Sequence, residues 1–166
     1  VGAPQRDILC VQSNLATSYH QLGRLEEANR MLRDVYSGYC RLLGEDGETS
    51  LALAHNYANS FSELRRFEEA KALLRKTLPV ARRVLGESHD LTLRMRKMYA
   101  RSLYRADGAT LDDLREAVTT IEDLERIARR VFGGDHPLTK GIETSLRNAR
   151  TVLAARAGDD VSAVRE

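Results

Sequence analysis

Apolar residues recur along this chain at helical spacing, in paired segments separated by a glycine. The second segment runs from Leu25 to Leu43, with Gly23 before it and Gly44, a common kind of helix C-terminal cap, after it. Apolar positions three and four residues apart share one face of an α-helix, so the pattern predicts a helical hairpin. The apolar positions of its first helix are Ile8, Leu9, Val11, Leu15, Ala16, Tyr19 and Leu22.

A Leu-Gly phrase closes the second segment and occurs three times, around Gly44, Gly86 and Gly133. Gly86 lies 42 residues after Gly44 and 47 residues before Gly133. A second phrase keeps the same spacing through its alanines, which are Ala28, Ala70 and Ala117. Two phrases with matching steps indicate a repeat array, and arrays of this period form helical solenoids. We therefore predict an all-α fold, a right-handed α-solenoid of three helical hairpins plus a C-terminal capping helix, with about seven helices.

The repeat register places the remaining helices. The second hairpin is predicted at residues 50–64 and 67–85, with a kink at Pro79 because an interior proline loses a hydrogen bond. The third begins at residue 91 and ends at Phe132. Its five extra residues either lengthen its loop or add a turn to its second helix. A seventh helix opens with Asp135 as N-cap and Pro137 at its first position, and its polar outer side covers the end of the array.

These bounds predict a single domain over residues 1–156 with a capping helix at 136–156. The repeats fall at about residues 5–46, 47–88 and 89–135, residues 1–7 form a short lead-in, and residues 157–166 form a flexible tail. Because the chain has no initiator Met and starts at a repeat boundary, we expect it to be a piece of a longer protein.

Composition narrows the class of function. With 30% charged and 42% apolar residues and no tryptophan, the chain suits a folded helical protein. A net charge of +2 is too small to indicate nucleic acid, and no run of 18 apolar residues indicates a membrane span. Cys10 and Cys40 form neither a disulfide framework nor a zinc motif, so we expect a reducing compartment and a cytoplasmic protein.

The repeated residues resemble the tetratricopeptide repeat (TPR). The phrase from Asn14 through Tyr19 and Gly23 to Ala28, followed by Leu-Gly-Glu-Asp at residues 43–46, is similar to the 42-residue repeats of kinesin light chains. HEAT and armadillo arrays have overlapping periods. The Gly-x-x-Glu-Glu-Ala turn and the small residues Ala16, Ala58 and Ala100 favour TPRs. The resemblance implies a protein-interaction module whose first helices line a concave groove.

The alignment of the repeats predicts which positions face the groove. In the first repeat these are Ser13, Thr17 and His20. The candidate peptide-binding residues are Asn14, His55, Asn56, Asn59, Arg94, Lys97, Arg101, Tyr104 and Arg105. The family resemblance implies that Asn14 and Asn56, one repeat apart, pair with the backbone of an extended peptide; alternatively, each satisfies a neighbouring loop.

Four cations share one face of the fifth helix: Arg94, Lys97, Arg101 and Arg105. Without acids among them they would attract a carboxylate, so we expect an extended, acidic peptide ligand. The alternatives are a solvated face, or pairing with Glu63, Asp112 or Asp113.

Neither catalysis nor a metal is indicated. His89 and His136 lie in the linker phrase, where the family resemblance implies a packing role, and no phosphate-binding or nucleophile motif occurs. We expect no enzyme activity, no cofactor, no metal, and no nucleic-acid or membrane partner. Two alternatives to peptide binding remain. One is a structural scaffold or spacer that uses the enlarged loop at residues 106–113. The other is an accessory domain of a longer signalling protein or enzyme.

Overall fold

The computed structural model describes the backbone of residues 2–163 and the side chains of residues 4–158. Over this range the chain forms seven helices and no strand, which confirms the predicted all-α repeat fold. The helices are α1 (Gly2–Gln21), α2 (Leu25–Leu43), α3 (Glu48–Glu63), α4 (Phe67–Leu85), α5 (Asp90–Arg105), α6 (Leu111–Phe132) and α7 (Pro137–Ala163). No helix in the described range is long and apolar enough to cross a membrane.

The chain divides into two compact units, with the boundary between Glu87 and Ser88. In the first unit, α1 pairs with α2 and α3 with α4, while α2 also packs on α3. A core of Leu9, Val35, Tyr39 and Leu53 joins α1, α2 and α3. The approach of α1 to α2 is close, because a Cβ at Gly38 would lie 2.6 Å from a methyl carbon of Leu9.

The second unit contains the α5–α6 hairpin and α7, which packs on both helices. Its largest fully buried side chains include Leu93, Leu114, Ile121, Leu124 and Ile142. The small residue expected at the helix crossing of this unit is Ala100, which is completely buried. In the first unit, Ala58 is completely buried and Ala16 is 1% exposed. Small residues at these positions allow the paired helices to approach closely, as the register predicted.

The junctions between hairpins use two devices. Gly44, Gly86 and Gly133 adopt φ values of 84°, 94° and 85°, a left-handed conformation that side chains rarely tolerate. At Gly44 the carbonyl then accepts a hydrogen bond from the Ser50 hydroxyl at 2.7 Å, and at Gly133 it accepts one from Thr139 at 2.8 Å. The glycine was predicted; the hydroxyl, which ties the end of one helix to the first turn of the next, was not.

The third repeat accommodates its extra residues in both predicted ways. The loop before α6 is two residues longer than the loops before α2 and α4, and α6 is three residues longer than those helices. Thr110 caps α6: its hydroxyl accepts from the Asp113 amide, and the Asp113 carboxylate accepts from the Thr110 amide. This reciprocal capping box fixes where the enlarged loop ends.

Three expectations about helix ends need correction. Residues 2–7 belong to α1 rather than to a lead-in, since Pro4 lies in the first turn, where no amide is needed. His136, not Asp135, caps α7. The α7 helix runs to Ala163 instead of ending near Arg156, because Ala154, Ala155 and Ala157 favour helix. Residues 164–166 of the predicted tail lie outside the described range. The α4 helix is unbroken at Pro79, and a kink there stays a prediction.

The capping box gives a direct test. We expect Thr110→Ala to lower the free energy of unfolding by about 1 kcal/mol, because the Asp113 amide loses its acceptor. Urea denaturation followed by circular dichroism would measure the change. Thr144→Ala is the matched control, since Thr144 is exposed within α7 and caps nothing. An equal loss in both variants would contradict a specific role for the cap.

Candidate functional site

A cavity of about 200 Å³ opens between the first helices of the first unit. One wall comes from α1, with Ser13, Thr17 and His20, and the other from α3, with Asn56 and Asn59. The remaining lining residues are Ala16, Leu32, Ser60 and Glu63. The lining is thus mostly hydroxyl and carboxamide, which can donate to and accept from a peptide backbone or a polar side chain.

A hydrogen bond joins two lining residues of this cavity, His20 and Glu63. His20 Nε2 lies 2.5 Å from Glu63 Oε2, while the other oxygen of Glu63 accepts from Asn59 Nδ2 at 3.0 Å. Both residues are partly exposed, so the contact contributes little to stability on its own. Together, the contacts with His20 and Asn59 occupy both oxygens of Glu63 and position the Asn59 amide at the cavity wall.

The predicted residues of the first unit are not all at this cavity. Asn56 and Asn59 line it, whereas Asn14 and His55 do not. Asn14 is an exposed residue of α1, and its main-chain carbonyl accepts from Ser18. His55 is half-buried and its Nδ1 lies 3.4 Å from Asn56 Oδ1. The equivalence of Asn14 and Asn56 in sequence therefore does not extend to their surroundings.

The four cations on α5 differ in whether they have an acidic partner. Arg94 pairs with Asp90 in the first turn of its own helix, with Nε 2.6 Å from Oδ2. The acids considered from sequence have other partners: Glu63 contacts His20, Asp112 contacts Arg115, and Asp113 caps α6. Arg105 is exposed at the last turn. Among the described residues, the carboxylate that pairs with this row is therefore Asp90, at its first member.

Lys97 lies in the middle of this row and is half-buried between α5 and α7. A Cβ built on Gly141 of α7 would be 3.1 Å from Lys97 Nζ, so the ammonium occupies space that any other residue at position 141 would take. Burial, and then the charges of Arg94 and Arg101, hold the pKa of Lys97 below its ordinary value of 10.5. Within the described residues, no carboxylate lies within salt-bridge distance of Lys97 or Arg101.

Repeat register relates the two sets of residues. Lys97 and Arg101 are the third-repeat equivalents of Ser13 and Thr17, which line the cavity of the first unit. The same positions on a first helix thus carry hydroxyls in one unit and cations in the other. Tyr104, the equivalent of His20, is only 6% exposed and belongs to the core of the second unit. It therefore offers a ligand little surface.

Arg96, a buried arginine on α5, was missed by sequence reasoning. It is 5% exposed, and its Nη2 lies 2.6 Å from Asp123 Oδ2 on α6. Asp123 also contacts Arg126. The hydrogen bond from Arg96 holds the pKa of Asp123 below its ordinary value of 3.8, against the opposing effect of burial. The pair fixes α5 against α6, and so fixes the helix that carries Lys97. The one signal in the sequence was that Arg96 does not share the helix face of Arg94, Lys97, Arg101 and Arg105.

The linker histidines have structural roles. His89 Nδ1 accepts from the Leu91 amide at 3.3 Å, and His136 Nδ1 accepts from the Leu138 amide at 3.2 Å. The His136 ring also stacks on Phe132 at 4.7 Å. Each histidine is thus the N-cap of the helix that follows. In the described part of the chain, no group of three or more histidine, cysteine or acidic residues could hold a metal ion.

Comparison with known proteins supports a family assignment. A family model described as tetratricopeptide repeat matches residues 7–82 and 49–110, and together the matches span more than half of the chain. No curated protein matches the chain.

Solved structures share the fold. A kinesin light chain-like protein with nearly identical TPR-like repeats from Podosopora anserina superposes with a TM-score of 0.71 at 23% identity, covering 90% of this chain and 69% of that one. A glutamine-to-methionine variant gives 0.73 at 23%, covering 95% and 73%. BtubC (BKLC) from P. vanneervenii gives 0.51 at 18%, covering 93% and 66%.

The Arg96–Asp123 pair predicts a pH-dependent loss of stability. Because the folded state holds the pKa of Asp123 below 3.8, its contribution is present above about pH 4 and is lost as the pH falls through the lowered value. Asp123→Asn should therefore lower the free energy of unfolding by about 2 kcal/mol at neutral pH, because the hydrogen bond from the buried Arg96 loses its charged acceptor. Urea denaturation at pH 7 and pH 3 should show that the difference narrows in acid.

Asp34→Asn is the matched control, because Asp34 is exposed and pairs only with the adjacent Arg33. Its effect should be small at both pH values. A difference for Asp123→Asn that stayed constant between pH 7 and pH 3 would show that charge pairing is not its cause.

Proposed function

Because this chain belongs to the tetratricopeptide repeat family, we propose that it is a protein-interaction module that binds an extended, acidic peptide through its first helices. TPRs generally mediate protein–protein interaction. The acidic character of the ligand is the finer part of the proposal, and it rests on the second unit. The observation that carries it is a half-buried lysine, Lys97, between two arginines and without a carboxylate partner in the described residues.

The charged form of this lysine is less favourable than that of an exposed lysine, and a bound anion would stabilise it. Burial removes water from the ammonium, and Arg94 and Arg101 add repulsion, so the charged form is disfavoured in the free protein. A carboxylate placed beside Nζ would offset both effects and raise the pKa of Lys97 towards its ordinary value. Arg101 can hold a second carboxylate with two parallel hydrogen bonds. Arg94 would contribute less, because Asp90 already neutralises it.

The first unit would bind a peptide by a different chemistry. Asn56 and Asn59 on one wall of its cavity, and Ser13 and Thr17 on the other, supply neutral donors and acceptors. Asn59 is held by Glu63, so its carbonyl oxygen is directed away from that carboxylate and can accept from a peptide amide. We propose that Asn56 and Asn59 bind peptide backbone whatever the side chains of the ligand. Asn14 and His55, which lie away from the cavity, would be peripheral.

Charge reversal tests the acidic ligand. We expect Arg101→Glu to weaken the binding of a fluorescein-labelled, glutamate-rich ten-residue peptide by ten-fold or more in low salt, because it places a carboxylate beside Lys97. Fluorescence anisotropy would measure the affinity. The effect should shrink as salt rises, since added ions screen partly exposed charges. A peptide of the same length with glutamine in place of glutamate should bind the unmodified protein more weakly.

Arg115→Glu is the matched control. It makes the same change in net charge at an exposed position on another helix, α6. It should leave the affinity unchanged. If both substitutions weakened binding equally, only net charge would matter. If neither did, the acidic-ligand proposal would be wrong.

A further inference from the structure

Three of the four lysines of this chain are paired with an acid. The nitrogen-to-oxygen distances are 2.9 Å for Lys71, 2.7 Å for Lys76 and 3.1 Å for Lys140. The fourth lysine, Lys97, has no carboxylate within salt-bridge distance among the described residues. An amine attacks an electrophile only after it has lost its proton, and a neighbouring acid disfavours that loss. Lys97 therefore differs from the other lysines in the feature that controls reactivity.

Positive charge surrounds Lys97 on its own helix. Arg94 and Arg101 lie on the same face of α5, one turn before it and one turn after it. Asp90 pairs with Arg94, whereas no acid of the described chain lies within salt-bridge distance of Arg101. A lysine that is partly removed from water and placed next to other cations is a common form of activated amine.

The helix that packs against Lys97, α7, does not neutralise it. Gly141 of α7 lies against the ammonium, since a Cβ built there would be 3.1 Å from Nζ. The charged residues that flank Gly141 in sequence are Lys140, which has its own acid, and Glu143, whose carboxylate lies 2.6 Å from Arg129. Burial, followed by the two arginines of α5, holds the pKa of Lys97 below its ordinary value.

These surroundings favour a reaction that leaves an anion on the lysine nitrogen. An unprotonated amine attacks the carbon of carbon dioxide, so that a carbon–nitrogen bond forms and one carbon–oxygen π pair moves to oxygen. The nitrogen then releases one proton to solvent, and the product is a carbamate with one negative charge. No oxidant, reductant or leaving group is needed. The repulsion between Lys97 and the arginines becomes an attraction, and Arg101 can hold the carbamate oxygens with two parallel hydrogen bonds.

We propose that Lys97 is a carbamate site, at which carbon dioxide bonds reversibly to Nζ and Arg101 holds the product. The inference goes beyond the proposed function and does not depend on the binding of a peptide. The carbamate would reverse the charge in the middle of the cation row on α5. Carbon dioxide would therefore lower the affinity of this row for a carboxylate ligand.

Chemical trapping on the complete chain tests the proposal. Triethyloxonium ion converts a reversible carbamate into a stable ethyl carbamate, which peptide mass spectrometry assigns to individual lysines. In isotopically labelled carbon dioxide and bicarbonate at neutral pH, the label should occupy Lys97 at least about ten-fold more than Lys71, Lys76 or Lys140. These three paired lysines are internal controls for general amine reactivity. No peptide enters the experiment, so its outcome is independent of the proposed function.

Two variants test the part played by Arg101. Arg101→Gln should lower the label on Lys97 by about five-fold or more, because the carbamate loses its guanidinium partner and the ammonium loses a repelling charge. Arg115→Gln is the matched control, since Arg115 is exposed on α6, and it should leave the label unchanged. Circular dichroism should show the same helix content in both variants and in the unmodified protein.

Two results would count against the carbamate site. Label on Lys97 no greater than on the three paired lysines of the unmodified chain would overturn the proposal, whatever the variants do. Equal label on Lys97 in Arg101→Gln and in the unmodified chain would overturn the assignment of Arg101 as the group that holds the carbamate.

Discussion

The close contact between the two helices of each hairpin constrains everything else in this structure. Ala16, Ala58 and Ala100 sit at these crossings with at most 1% exposure, and a larger side chain there would force the helices apart. The first helix also has positions beside the crossing that do not face its partner helix, and these stay outside the core between the paired helices. Ser13 and Thr17 in one unit, and Lys97 and Arg101 in the other, are therefore presented at the side of the hairpin.

The periodicity of the sequence was sufficient to predict the helices and the glycines at their junctions. Leu25–Leu43 and Phe67–Leu85 begin and end where the apolar pattern and the glycines predicted, because helix period and left-handed C-caps leave a local signal. The less accurate ends were those without such a signal. At residues 2–7 and beyond Arg156 the helices include Pro4 and Gly158 without ending there, and neighbouring helix-forming residues extend them.

Side-chain contacts between different helices were harder to predict. The register placed Lys97 in a row with three arginines, but the sequence of α5 alone could not show that Gly141 of α7, 44 residues later, lies against its ammonium. Arg96 was missed because its counter-ion, Asp123, lies on another helix. Asn14 and Asn56 show the converse: two residues equivalent in sequence have different surroundings, since Asn56 lines the cavity between α1 and α3 and Asn14 does not.

Charge pairing shows why the unpaired cations are informative. Several arginines of this chain pair with an acid within four residues, as in Arg24 with Glu27, Arg66 with Glu69, and Arg115 with Asp112. These pairs recur at the start of the second helices, where acids also suit the helix dipole. Among the first helices, α5 has such a pair in Arg94 and Asp90. In the described residues, no carboxylate lies within salt-bridge distance of Lys97 or Arg101 further along the same helix. Repeat symmetry thus determines the position of these side chains, and departure from it determines their charge.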